Sequence, residues 1–240
     1  MNDQTSFRRF AAISTLIAAL LILASIVVLS LAVEFEMEFL DNPAGLITAG
    51  LDASAAGLFR WGSILELFGY FLLLIPATLY LWYWLRPRNP RLVTLYTVLG
   101  LTSILLGVIG AAIRASFFPS MMLAYPQAAE AQRAVLEVVF GAVADFTFES
   151  LYALDSLLAG LWWLGIGLVL RGERRRLGIA TVILGIAVLG AGVGWLLGVD
   201  PLARLELFYF FEPFWALWLG VVIWRGAGQS EQSVEAATAG

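Results

Sequence analysis

Six stretches of this chain run for about 20 residues or more with almost no charge. A bilayer core of ~30 Å is crossed by about 20 such residues in an α-helix. The stretches are approximately Phe10 to Val33, Trp61 to Leu85, Leu92 to Ala115, Ser150 to Leu170, Leu177 to Val199 and Leu202 to Trp224. Each is too long and too apolar for a soluble core helix, and none alternates with the period of two that a membrane strand requires. The sequence therefore predicts an all-α polytopic membrane protein, a bundle of six transmembrane helices within 1–225. Composition agrees: 61% of residues are apolar and 13% charged, against roughly 45–50% and 25% in soluble domains.

Arginine placement predicts the orientation. All 14 basic residues are Arg. Arg8, Arg9, Arg86, Arg88, Arg91, Arg171, Arg174, Arg175, Arg176 and Arg225 fall on one side of a six-span topology, whereas Arg60, Arg114, Arg133 and Arg204 fall on the other. The positive-inside rule then puts both termini in the cytoplasm. Glu34, Glu36, Glu38, Asp41 and Asp52 all lie in the first outer loop, an asymmetry of the opposite sign. The first span follows Arg8 and Arg9 like a signal peptide, but it exceeds the ~7–15 residues of a cleavable apolar region and is expected to be retained. Residues 226–240 are small and polar and are expected to form a disordered cytoplasmic tail. The Ala-rich stretch after Pro126 is expected to lie on the outer surface or to extend the fourth span.

The absence of Lys, His and Cys excludes disulfides, thiol chemistry, His-ligated haem, zinc–histidine sites and Ser-His or Cys-His catalytic pairs. No metal and no cofactor is expected, and no basic surface suits nucleic acid. An intramembrane enzyme would have to work with a carboxylate, Ser or Tyr, and neither GxSxG nor HExxH occurs.

Ionisable groups inside a bilayer are costly, which makes them functional candidates. The boundary arginines give their depth, at about 1.5 Å of rise per residue. Glu212 lies 13 residues before Arg225, or about 20 Å. Asp155 lies 16 residues before Arg171, or about 24 Å. Both are thus roughly 6–10 Å inside the far edge of a ~30 Å core. Glu66 and Arg114 fall near that edge, and Asp145, Glu149 and Glu206 at or beyond it. Helical spacing places Asp145, Glu149, Tyr152 and Ser156 on one face, expected to point into the bundle or a wet vestibule. Pro76 and Pro213 are expected to kink their helices and free carbonyls beside the buried acids. The candidate ligand- or ion-binding set is Glu66, Asp155, Glu212, Glu149 and Arg114. The aromatic run from Phe208 to Trp218 is expected to be mainly lipid and helix contact.

Small residues four apart mark helix contacts in lipid. Gly190, Gly194 and Gly198 form one such row, and Ser103, Gly107, Ala111 and Ala115 another. Both are expected to face neighbouring helices, and the glycine row offers a route to a homo- or hetero-oligomer. Thr15, Thr97 and Thr181 recur near the starts of the odd spans, a pattern that three tandem hairpins would produce.

Two segments, LFRWGSILELFGYFLLLIPATLYLWYWLRPRN and LWWLGIGLVLRGERRRLGIATVILGIAVLGAGVGWLL, together under half of the chain, carry a resemblance. They resemble an uncharacterised group of six-helix bacterial membrane proteins known only as a domain of unknown function. The resemblance implies a multi-span bacterial protein and carries over no functional residue. Abundant Arg, Ala and Gly without Lys suggest a GC-rich genome and a bacterial plasma membrane. The expected function is a small transporter or sensor with an outward acidic cavity for a proton, cation or cationic ligand. The alternative is a non-catalytic scaffold or subunit of a membrane complex.

Overall fold

The computed structural model of the chain describes residues 3–34, 43–49, 52–199, 202 and 204–238. Glu36, Glu38, Asp41, Asp200 and Pro201 lie outside the described residues, as does the side chain of Glu206. Among the described residues there is no strand. Six helices are long and apolar enough to cross a membrane: Gln4–Ala32, Ala53–Leu85, Pro90–Gln127, Glu130–Leu170, Arg175–Leu197 and Leu207–Gly226. They are the first to sixth spans below.

The Ala-rich stretch extends the fourth span. At 33, 38 and 41 residues, the second, third and fourth spans reach about 50–60 Å, well beyond a ~30 Å bilayer core. Their projecting ends lie away from the arginine-rich turns and share a core of Leu46, Ile47, Phe59, Phe118, Met122 and Phe140. The arginine-rich turns gather at the other end. Arg88 is ion-paired with Glu173, and Arg8 Nη1 donates to the Gly226 carbonyl at 2.6 Å.

Local sequence sets the helix ends. Asp52 caps the second span by accepting from the Ala55 amide at 2.8 Å, and Asn89 caps the third by accepting from Leu92 at 3.3 Å. Gly198 ends the fifth span in the left-handed region, φ 63°, where the Val199 amide turns back to the Gly194 carbonyl at 2.9 Å. Gly198 is therefore a helix terminator. Gly194 is buried, and a Cβ on Gly190 would meet Leu205 of the same chain.

The closest backbone contacts follow a spacing of seven. Gly160 and Gly167 of the fourth span face Gly178, Gly185 and Gly192 of the fifth. A Cβ on Gly160 would lie 2.5 Å from the Leu189 amide nitrogen, and one on Gly192 2.9 Å from the Ala153 carbonyl oxygen. Gly62 and Gly69 receive Leu29 and Ile22 of the first span in the same manner. A heptad of small residues suits left-handed crossings near +20°. Ser103, Gly107 and Ala111 are buried as the row in the third span predicts.

The fourth span is the central one, with 61% of its most apolar window buried. It packs on the third and most extensively on the fifth, while the sixth packs chiefly on the first. Thr15, Thr97 and Thr181 each donate to the carbonyl four residues back. The resemblance among odd spans is local, since the fifth and sixth spans do not pair as the first and second do.

The second, fourth and sixth spans are not continuous α-helix. The second passes through a π turn, Leu67–Phe71, and a 3-10 turn, Leu72–Leu74, before α-helix resumes at Ile75. Pro76 thus sits in a new first turn, where its missing N–H costs little. Ser14 of the first span donates to the Leu73 carbonyl at 2.6 Å in this irregular stretch. The fourth span passes through a π turn at Phe146–Tyr152. In the sixth, a 3-10 helix at Arg204–Phe211 gives way to α-helix at Glu212, so Pro213 begins that helix and does not kink one. This last helix is assigned to Thr238, through most of the segment expected to be a disordered tail.

Candidate functional site

Both π turns border one buried polar cluster. Glu66 ends the α-helix before the first π turn, and Tyr152 closes the second. Each turn widens its helix and accommodates an extra residue, which re-aims the side chains beside it. Arg114 approaches from the third span. Its Nη1 donates to Glu66 Oε2 at 2.6 Å and to the Tyr152 hydroxyl at 3.3 Å, and Tyr152 donates to Glu66 Oε1 at 3.0 Å. The guanidinium carbon lies 5.4 Å from the ring centres of both Phe59 and Phe148. Arg114 Nε is buried without a hydrogen-bond partner.

Asp155 stands about one turn below Tyr152 and is 5% exposed. The Ser103 hydroxyl donates to its Oδ1 at 2.5 Å. Ser156, beside it, shares a 3.2 Å hydrogen bond with the Tyr209 hydroxyl. The Tyr70 hydroxyl, from the first π turn, donates to the Tyr209 carbonyl at 3.4 Å. Glu212 is 2% exposed, and its Oε2 is buried without a hydrogen-bond partner. It lies within electrostatic reach of Asp155. Its place in the first turn of an α-helix gives it the favourable end of the helix dipole.

A cavity of about 310 Å³ opens beside these groups, and all six spans contribute to its wall. Its polar lining comes from Glu66, Arg114, Tyr152, Asp155, Ser156 and Tyr209, with Ser25 and Ser30. Its apolar lining includes Ile26, Leu29 and Val33 of the first span, Leu46, and Leu207 and Phe210 of the 3-10 segment. Glu66 and Arg114 cancel in charge. Among the described residues no cation is ion-paired with Asp155 or Glu212: Arg60 and Arg204 are exposed, and Arg133 donates to the Pro126 and Ala128 carbonyls.

The structure thus brings together Glu66, Arg114 and Asp155 on the cavity, with Glu212 buried close by. Glu149 does not join them. It is exposed, as is Asp145. The expected single face from Asp145 to Ser156 assumes an uninterrupted α-helix, and the intervening π turn breaks that register. The hydroxyls of Ser103, Tyr70 and Tyr209 escape a search restricted to charged residues. Their signal is position: Ser103 lies on the small-residue row of the third span, and Tyr70 follows Glu66 by one turn.

Among the described residues, no group of three acids converges on a metal-sized site. Within the aromatic run, Tyr209 and Trp215 turn inward to meet Trp163, whereas Phe210, Phe211, Phe214 and Trp218 are exposed. No family model, no curated protein and no solved structure matches the chain.

Proposed function

We propose that the chain is a multi-pass protein of a bacterial plasma membrane, with both termini cytoplasmic. In this reading it is a small transporter or sensor that takes a proton or a cationic ligand into the cavity between its spans. The arginine-rich end of the bundle supports the orientation, because positively charged turns are retained in the cytoplasm. The polar groups of the cavity then lie in the outer half of the bundle.

One observation carries the functional reading. Asp155 and Glu212 are both buried, and the guanidinium on the cavity, that of Arg114, is already engaged by Glu66. A buried carboxylate without a counter-charge is strongly disfavoured, so each must hold a proton or meet a cation. Exchange between those two conditions is the elementary step of a proton-coupled carrier or a proton- and cation-responsive sensor.

The test is tryptophan fluorescence and proton flux of the reconstituted protein as pH and cation concentration are varied. The Asp155→Asn, Glu212→Gln double variant is expected to lose the response, and Glu149→Gln to retain it. A double variant that behaves as the parent, or a stoichiometric partner protein that accounts for the acids' burial, would favour the scaffold alternative.

A further inference from the structure

We infer that the cavity's ligand is a small organic ammonium ion with an apolar body, its charged head on Asp155 and its body against the apolar walls. This rests on the reading of Asp155 and Glu212 as a cation site and specifies what that cation is. Size is the first argument. About 310 Å³ is the volume of roughly ten waters, far more than a metal ion or a proton needs, and it falls at the small end of organic-ligand pockets.

The second argument is the division of the lining. The charge is confined to Glu66, Arg114 and Asp155, while most of the remaining lining is aliphatic and aromatic. An inorganic cation would leave the space along those apolar side chains filled with poorly held water. A ligand with a hydrocarbon body would displace that water.

The third argument is the unmet hydrogen-bonding capacity. Asp155 lines the cavity, is 95% buried, and has one oxygen engaged by Ser103. Its other oxygen, the Ser156 hydroxyl and the Tyr209 hydroxyl can accept N–H donors from an ammonium head. The rings of Tyr70 and Tyr209, which meet edge-on at 6.2 Å, add π faces that favour a cation. The charge balance disfavours an anion. Arg114 already serves Glu66 and Tyr152, so a negative head would join Glu66, Asp155 and Glu212 with no positive charge to spare. The ionisable groups on the cavity are thus Glu66, Asp155 and Arg114, with the hydroxyls of Tyr70, Tyr152 and Tyr209, while Glu212 is buried outside its lining.

The experiment uses three probes of one shape on the full chain in lipid nanodiscs: 2-phenylethylammonium, its uncharged isostere n-propylbenzene, and the anion 3-phenylpropanoate. Calorimetric titration is expected to show the ammonium binding at least tenfold more tightly than either of the others. Asp155→Asn is expected to weaken it at least tenfold, and Glu149→Gln to leave it unchanged. Equal binding of the three probes, or preference for the anion, overturns the inference. If the acids respond to pH and to sodium or potassium but the ammonium does not bind, the ligand class is wrong and the proposed function stands. If neither protons nor any cation perturbs the protein, both fail. The three-probe comparison needs only the parent chain, so it decides the matter even if Asp155→Asn does not fold.

Discussion

Glu66 and Arg114, 48 residues apart in sequence, meet through a 2.6 Å contact between Oε2 and Nη1 that joins the second span to the third. Both side chains are about nine-tenths buried, and the Tyr152 hydroxyl from the fourth span closes the arrangement. Three helices are therefore fixed to one another by a single charge pair. Removing either partner leaves the other charged and buried, which typically costs about 3–5 kcal/mol. Arg114→Met and Glu66→Gln are each expected to lower the melting temperature in detergent strongly. The double variant is expected to melt above Arg114→Met, because it buries no lone charge. Additive losses would show that the pair is not coupled.

That pairing was within reach of the sequence. Depth counting from the boundary arginines puts Glu66 and Arg114 at one level and Asp155 and Glu212 below it, and the structure buries all four. Periodicity alone could not reveal the π turn at Phe146–Tyr152, because nothing in FTFESLY marks the place where an extra residue is absorbed. Helical spacing therefore puts Glu149 on the face of Tyr152 and Ser156, whereas the structure leaves it exposed. Gly190 and Gly194 do face inward as four-residue spacing predicts, but the closest helix contacts lie elsewhere. Four-residue spacing draws attention to Gly190 and Gly194, while the backbone contacts between the fourth and fifth spans use glycines seven apart, a spacing equally visible in the sequence. The polar cluster escapes the sequence in part because Tyr and Ser are common in membrane helices, and only the tertiary arrangement selects Tyr209 and Ser103 from among them.

The heptad glycines make a prediction with an internal control. At Gly160 a methyl group would press on the Leu189 backbone, which cannot move away without separating two helices. Gly160→Ala is expected to destabilise by about 1–3 kcal/mol, the usual cost of overpacking. Gly57, half-buried near the start of the second span, has nothing within 4 Å of the added carbon. Gly57→Ala should therefore be neutral or stabilising by up to about 1 kcal/mol, through helix propensity alone. Thermal unfolding of the two variants side by side checks both. Equal effects would mean that the fourth and fifth spans are not in backbone contact.

Gly198 provides a different glycine test. Its φ of 63° lies where a Cβ is strained whatever the space around it, and no atom lies within 4 Å of that carbon. Gly198→Ala is expected to cost roughly 1 kcal/mol, and Gly198→Asn less, because Asn tolerates the left-handed region better. A helix-contact role would give the opposite order, with Ala milder than the larger Asn. Melting temperatures of the two variants distinguish these roles.

The orientation can be tested directly, because the chain has no cysteine of its own. Gly172, in the turn between the fourth and fifth spans, is exposed at the arginine-rich end. Ala129, in the turn between the third and fourth, is exposed at the other end, and Gln4 begins the first span. In intact cells, a membrane-impermeant maleimide is expected to label Ala129→Cys at once. Gly172→Cys and Gln4→Cys should be labelled only after permeabilisation. Labelling of Gly172→Cys and Ala129→Cys from the same side would be incompatible with a fourth helix that crosses the bilayer. Labelling of Gln4→Cys and Gly172→Cys from outside would invert the protein, turning the Asp155 cavity toward the cytoplasm and reversing the direction from which a cation reaches it.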